Sequence, residues 1–245
     1  MNEQVVYGLH AVEAVLRSQH RNTHHLYVNE ERDDNRLQTI LTLARDKGVV
    51  IESLPFKKLN QRFAGITHQG VVAMATPLRE YTEKDLPTLL EGCKKPITIL
   101  ILDGVTDPHN LGACIRSADA AGVDFVIIPK DKSANLSAIS IKVASGAAEH
   151  IPLVRVTNLV RSIETIKEAG IWVYGAALEA TKNIYSLPLN SSVALVLGAE
   201  GQGLRRLTRE HCDDLFILPM LGSVDSLNVS VATGISLYEV VRQRL

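Results

Sequence analysis

The sequence predicts an α/β fold with a mainly parallel sheet in its C-terminal part. Two observations carry this: the strand-like segments from residue 97 onward are continuous apolar, β-branched runs, and each is followed by a turn and a stretch of helical spacing. Continuous runs, unlike alternating ones, belong to strands buried on both faces, and parallel strands need crossovers between them. The runs are ITILIL at 97–102, FVIIP at 125–129, IPLV at 151–154, IWVYG at 171–175, VALVL at 193–197 and LFIL at 215–218.

The first 76 residues form a shorter unit of the same α/β rhythm. Spacing predicts a helix near 8–17, a strand near 24–28, a helix near 33–47, strands near 49–52 and 70–74, and a further helix between those last two. Five of the eight histidines fall here: His10, His20, His24, His25 and His68. No acidic or cysteine partners stand at metal spacing, so surface roles are favoured over a metal site. Lys57, Lys58 and Arg62 share one helical stretch, where they either touch phosphates or form a solvated face. Residues 77–96 are bracketed by prolines and rich in charge, which fits a linker with a short helix inside it.

Composition bounds the function. The 245 residues carry 26 Lys and Arg against 27 Asp and Glu, a net charge of -1, which excludes a protein that holds nucleic acid by bulk electrostatics. With 46% apolar residues the chain can bury a core without staples. Cys93, Cys114 and Cys212 match no zinc or redox spacing and read as reduced thiols. No apolar run approaches the roughly 18 residues of a membrane helix, and the N-terminus lacks a signal pattern, so a cytoplasmic protein is expected.

Ligands of α/β sheets gather at the carboxyl ends of the strands, and three loops there stand out. Residues 102–122 hold an Asp107-Pro108 turn, Asn110 as the expected N-cap of a helix from Leu111, and Arg116 within that helix. Arg116 either pairs with Asp119 at i+3 or grips a phosphate with paired donors. Residues 195–204 hold Gly198, Gly201 and Gly203 around Glu200, without a Walker ending or a G-x-G-x-x-G order. A carboxylate among glycines repels phosphate and suits a ligand offering hydroxyls or positive charge. A tight turn with an exposed glutamate is the plainer alternative. Residues 218–241 hold a polar loop, Ser226 or Asn228 as cap of a long final helix, and a small-residue face at Ser230, Ala232, Thr233 and Gly234, which points to close packing against a helix, a subunit or a ligand.

Together, N-L-G-x-x-x-R at 110–116, L-G-x-E-G-x-G at 197–203 and S-L-N-V-S-x-A at 226–232 resemble the SpoU, or TrmH, family of RNA ribose 2′-O-methyltransferases in the SPOUT superfamily. YGLHAVEAVL at 7–16 and HQGVVA at 68–73 look like the L30e-like RNA-binding domain found in a subset of that family. The similarity spans nearly the whole chain and is greatest to bacterial members that methylate a guanosine of 23S rRNA in the peptidyl-transferase region.

The resemblance implies an RNA substrate-binding domain at 1–76, the linker at 77–96 and a catalytic domain at 97–245. It implies a deep C-terminal trefoil knot, which chain physics would exclude by default, and a homodimer through the catalytic domains, each site finished by the partner. It implies S-adenosylmethionine as methyl donor, held around Gly198, Gly201, Leu218 and Leu227, and no metal. Asn110, Glu200, Ser226 and Asn228 match positions lining the site, beside Arg116. The family assigns that arginine the removal of the hydroxyl proton, whereas a guanidinium is effectively always protonated and suits phosphate binding and orientation. Two other classes share these features: a dinucleotide-dependent oxidoreductase, disfavoured by the missing glycine order, and a non-catalytic RNA-binding assembly factor. Within the family, a tRNA guanosine 2′-O-methyltransferase is the nearest rival.

Overall fold

The computed structural model describes residues 3–199, 201 and 203–245. In chain order the elements are β1 (Gln4–Tyr7), α1 (Leu9–Arg17), β2 (Thr23–Asn29), α2 (Asn35–Asp46), β3 (Val50–Leu54), α3 (Phe56–Arg62) and β4 (Val71–Ala75). There follow β5 (Tyr81–Thr82), α4 (Leu86–Gly92), β6 (Thr98–Asp103), α5 (Pro108–Ala120), β7 (Phe125–Pro129), α6 (Ala138–Ala144), β8 (Leu153–Val156) and α7 (Leu159–Glu168). The chain ends with β9 (Trp172–Ala176), β10 (Lys182–Asn183), β11 (Val193–Gly198), α8 (Arg206–His211), β12 (Asp214–Ile217) and α9 (Val229–Arg244). Every strand and helix expected from spacing is present; β5 and β10, of two residues each, are too short to give a periodic signal, and the edge strand β1 was not anticipated.

The chain divides into two compact units, the first comprising Met1–Arg79 and Leu136–His150, the second Glu80–Asn135 and Ile151–Leu245. The first unit is therefore discontinuous in sequence, and residues from Glu80 onward in the expected linker belong to the second, where β5 pairs with β8 and α4 supplies the short helix.

The first unit holds a four-stranded sheet in the order β1-β4-β2-β3, with β2 and β3 parallel and the other pairs antiparallel. Period-2 alternation splits its side chains between two faces. Tyr7, Tyr27 and Val72 cluster with Leu59 of α3 and, at the margin, Ala138 of α6. Val6, Leu26 and Ala73 are fully buried on the other face, where α1 and α2 pack. Asp34 caps α2 by accepting from the backbone N–H groups of Arg36 and Leu37.

The segment 136–150 is tied into this unit by a buried charge pair. The guanidinium of Arg21 bonds the carboxylate of Glu149, and both side chains are 2% exposed. Arg21 also donates to the Thr76 carbonyl at 2.7 Å and to Oε1 of Gln4 at 2.9 Å. Burial pushes the Glu149 carboxyl up and the Arg21 guanidinium down, each only partly offset by the other's charge. Such a pair adds little beyond a hydrophobic replacement, yet losing one partner strands a charge.

The second unit is built on an eight-stranded sheet in the order β10-β12-β9-β11-β6-β7-β8-β5, with every neighbouring pair parallel. All six residues of β6 and all five of β7 are buried, as continuous apolar runs require. Strand β11 lies between β6 and β9, so the chain returns to the middle of a sheet already laid down. Helix α9 packs against α5 through its small residues: Thr233 Oγ1 lies 3.4 Å from Cys114 Sγ, and a side chain at Gly234 would meet Ser117 Oγ at 3.8 Å. The small-residue face is thus satisfied by a helix. Among the described residues no helix is long and apolar enough to cross a membrane.

Arg21→Met is expected to destabilise the protein by about 3–5 kcal/mol in urea denaturation followed by circular dichroism. Arg21→Met combined with Glu149→Leu is expected to recover most of that loss.

Candidate functional site

The carboxyl ends of β6, β9, β11 and β12 meet at one edge of the second unit, as strand-end sites in parallel sheets do. Strands β11 and β6 run in register up to Gly198 opposite Asp103. There the chain after β11 folds back on itself: Gly203 N–H donates to the Ala199 carbonyl at 2.9 Å, and Ala199 N–H donates to the Asp103 carbonyl at 3.1 Å. A Cβ at Gly198 would stand 2.1 Å from the carbonyl carbon of Gly203, so only glycine permits the fold-back. Gly201 takes φ +74°, the left-handed region open to glycine. Glu200 lies outside the described residues.

Asp103 anchors the far side of this turn. Its buried carboxylate accepts from the Arg205 backbone N–H at 2.9 Å and lies 3.3 Å from the same residue's Nε. Sequence reasoning missed both residues; the available signal was a carboxylate closing a fully apolar strand.

The first and third motifs meet through two asparagines. Asn228, not Ser226, caps α9: its Oδ1 accepts from Ser230 N–H at 2.9 Å and from Ser230 Oγ at 2.6 Å. Its Nδ2 donates to Oδ1 of Asn110 at 3.0 Å. Asn110 is not the cap of its own helix as expected; α5 starts earlier, at Pro108, with Asp107 accepting from His109 N–H. Proline at the first helical position explains the shift, because its fixed φ suits that position and its missing N–H is not needed there. Freed from capping, Asn110 reaches Asn228.

Two cavities flank the fold-back. One, of about 230 Å³, is lined by four expected cofactor residues, Gly198, Gly201, Leu218 and Leu227, together with Ser226. The Ala176–Glu179 segment after β9 forms another part of its wall, a fourth strand-end loop the sequence reading passed over. Its side chains are mostly apolar. Of its charged groups among the described residues, Arg209 is ion-paired with Glu179, which leaves the Asp225 carboxylate. That set fits S-adenosylmethionine, a sulfonium cation with an adenosine and no phosphate, and does not fit a nucleotide phosphate. The second cavity, of about 710 Å³, is lined by Asn110, Asp107, Lys132 and Arg205 and shares Ala199, Gly203, Leu204 and Val229 with the first.

Arg116 lines neither cavity. It is exposed on α5, six residues beyond Asn110, which places it about 9 Å further along the axis and on a different face. Among the described residues it has no ion-pair partner, so the expected pairing with Asp119 is not formed. The thiol of Cys114, on the same helix, is pushed up to about 11 by burial and stays protonated, which leaves it no nucleophilic role.

The family model described as the SpoU rRNA Methylase family matches residues 97–238, and that described as RNA 2′-O ribose methyltransferase substrate binding matches residues 5–81. The chain is 52% identical over 244 residues to the 23S rRNA (guanosine-2′-O-)-methyltransferase RlmB of Photobacterium profundum, covering 100% of this chain and 99% of the relative. It is 52% identical over 241 residues to the RlmB of Escherichia coli (strain K12), covering 98% and 99%. The solved AdoMet-bound rRNA methyltransferase from Sinorhizobium meliloti superposes with a TM-score of 0.78 at 25% identity, over 99% of this chain and 88% of that one. The SpoU methyltransferase AviRb from Streptomyces viridochromogenes, in complex with AdoMet, shares the fold at a TM-score of 0.82 and 23% identity, over 99% and 90%.

Asn228→Ala removes a helix cap and the link to Asn110, and is expected to cost about 1–2 kcal/mol in thermal or urea unfolding. Ser226→Ala is expected to leave stability unchanged.

Proposed function

Because this chain belongs to the SpoU rRNA methylase family, we propose that it methylates the ribose 2′-hydroxyl of one guanosine in 23S rRNA, within the peptidyl-transferase region. It is an RNA methyltransferase that uses S-adenosylmethionine. The observation that carries the reading is the shared wall: a cavity suited to a cationic, phosphate-free donor abuts a larger, polar one lined by Asp103, Asp107, Asn110, Lys132 and Arg205.

S-adenosylmethionine, when bound, supplies a methyl group made electrophilic by its sulfonium. In this reading Gly198, Gly201, Leu218 and Leu227 hold it largely through backbone groups in an apolar slot that excludes water, and Ser226 closes the edge. Asn110 and Asn228, already bonded to each other, orient the acceptor ribose. Lys132 and Arg205 face its phosphates. Holding a weak nucleophile in line supplies much of the rate enhancement. Glu200 is assigned to the same site by its place in the motif.

Arg116 binds a phosphate next to the acceptor and orients the hydroxyl for loss of its proton. Its position away from both cavities of its own chain supports a homodimer through the catalytic domains, in which the arginine of one copy completes its partner's site. Val231 and Tyr238, seven residues apart on one face of α9, are about half exposed and offer apolar surface for that contact. The C-terminal knot and action in the cytoplasm on rRNA belong to the same proposal; the strand order, with β11 between β6 and β9, is compatible with the knot.

Purified protein is expected to transfer labelled methyl from S-adenosylmethionine to unmethylated 23S rRNA at a single guanosine, read by 2′-O-methylation mapping. Transfer to tRNA instead would overturn the substrate assignment. Arg116→Ala is expected to lower the rate at least about 100-fold without changing the melting temperature. Gly198→Val is expected to abolish cofactor binding in calorimetry. If the arginine acts across the dimer, mixing these two inactive variants restores part of the activity.

A further inference from the structure

The net charge of the first unit conceals a segregation. Residues 53–79 contain Lys57, Lys58, Arg62 and Arg79 and not one acidic side chain, whereas residues 1–52 hold eight acidic against six basic ones. The acid-free stretch folds into α3, the turn after it and β4. Helix α3 buries Leu59 against the sheet and exposes the rest of its circumference. Around that arc stand Phe56, Asn60, Lys57, Lys58 and Arg62, in the angular order set by 100° per residue.

Carboxylates neutralise several of the unit's cations, Arg62 on this arc among them. Arg17 pairs with Glu13, Arg32 with Asp34 and Arg62 with Glu52, and Arg62 also lies 4.2 Å over the Tyr27 ring. Among the described residues Lys57 and Lys58 have no carboxylate partner. Phe56 is 45% exposed and meets the His68 ring edge-on, at 5.8 Å between ring centres. Asn60 holds His68 at 2.8 Å, so the 63–69 turn is fixed beside the helix, and Lys142 donates to the Thr67 carbonyl of that turn at 2.8 Å. The arc thus runs from the exposed ring of Phe56 at one edge through Lys57 to Lys58, and among the described residues neither lysine is paired with a carboxylate.

Resting on the reading that the protein modifies rRNA, we propose that this face of α3 docks a single-stranded segment of that RNA. Lys57 and Lys58 take its phosphates, and an unstacked base lies on the ring of Phe56. Charge complementarity selects a polyanion, and the exposed ring selects unpaired bases over a duplex, whose bases are already stacked. The short helix itself contributes no dipole site; side chains carry the interaction.

Filter binding of the full-length protein to a 23S rRNA transcript across a salt series tests this. Lys57→Glu with Lys58→Glu is expected to weaken binding at least tenfold and to flatten the dependence of log affinity on log salt by about 1.4, two phosphates at about 0.7 each for single strands. Phe56→Ala is expected to weaken binding about fivefold or more with an unchanged slope. Arg45→Glu on α2, which packs on the other face of the sheet, is expected to change the affinity far less. Unchanged affinity and slope in the lysine variant, with wild-type methylation intact, would overturn the docking face and leave the enzymatic reading standing. A wild-type protein that neither binds nor methylates the transcript would remove both.

Discussion

At position 198 nothing larger than a hydrogen atom fits, because the chain leaving β11 turns back until the carbonyl of Gly203 lies against the Cα of Gly198. The rest of the site follows from that approach. The fold-back forms the shared wall of the two cavities, places Gly201 over one and brings Arg205 N–H onto Asp103, at the end of the neighbouring strand. Parallel strands end together, so loops distant in sequence converge. The Asn110–Asn228 hydrogen bond then joins residues 118 positions apart. A site of this kind requires an ordered sheet beneath it, and β6 and β7 provide one whose apolar faces are wholly buried.

Charge is handled differently in the two units. In the first, a buried guanidinium and carboxylate lie among hydrogen-bond acceptors and fix where the 136–150 segment belongs. Such a pair specifies an arrangement more than it stabilises one, since most of its Coulomb gain offsets desolvation. In the second unit charged groups gather at the two cavities, where Arg209 pairs with Glu179 and Arg205 with the buried Asp103, while Lys132 borders the larger space. A chain of net charge -1 can therefore serve an RNA enzyme, because recognition of folded RNA uses a few placed cations rather than bulk potential.

Much of this was legible in the sequence, for identifiable reasons. The six apolar runs announced the parallel sheet because burial on both faces leaves no room for polar alternation. Gly198, Gly201 and Leu227 could be singled out because their motifs are specific, and Leu218 because the family resemblance implied it; all four line one cavity. The cap of α5 was misplaced by three residues because Asp107-Pro108 reads equally as a turn and as a helix start. Loop Ala176–Glu179 was passed over because it has no glycine cluster, although it walls the same cavity.

The amino-acid sequence alone determined the class of fold, most of the strands, the long helices and the three motifs, since these depend on local pattern and residue chemistry. Tertiary structure decided what depends on pairs far apart: that 136–150 joins the first unit through Arg21 and Glu149, that Asn110 meets Asn228, and that β11 enters between β6 and β9. It also placed Arg116 away from both cavities of its own chain. Hydrophobic period and turn chemistry act over a few residues, whereas strand order and cavity walls follow from how whole elements pack, and that information is spread across the chain.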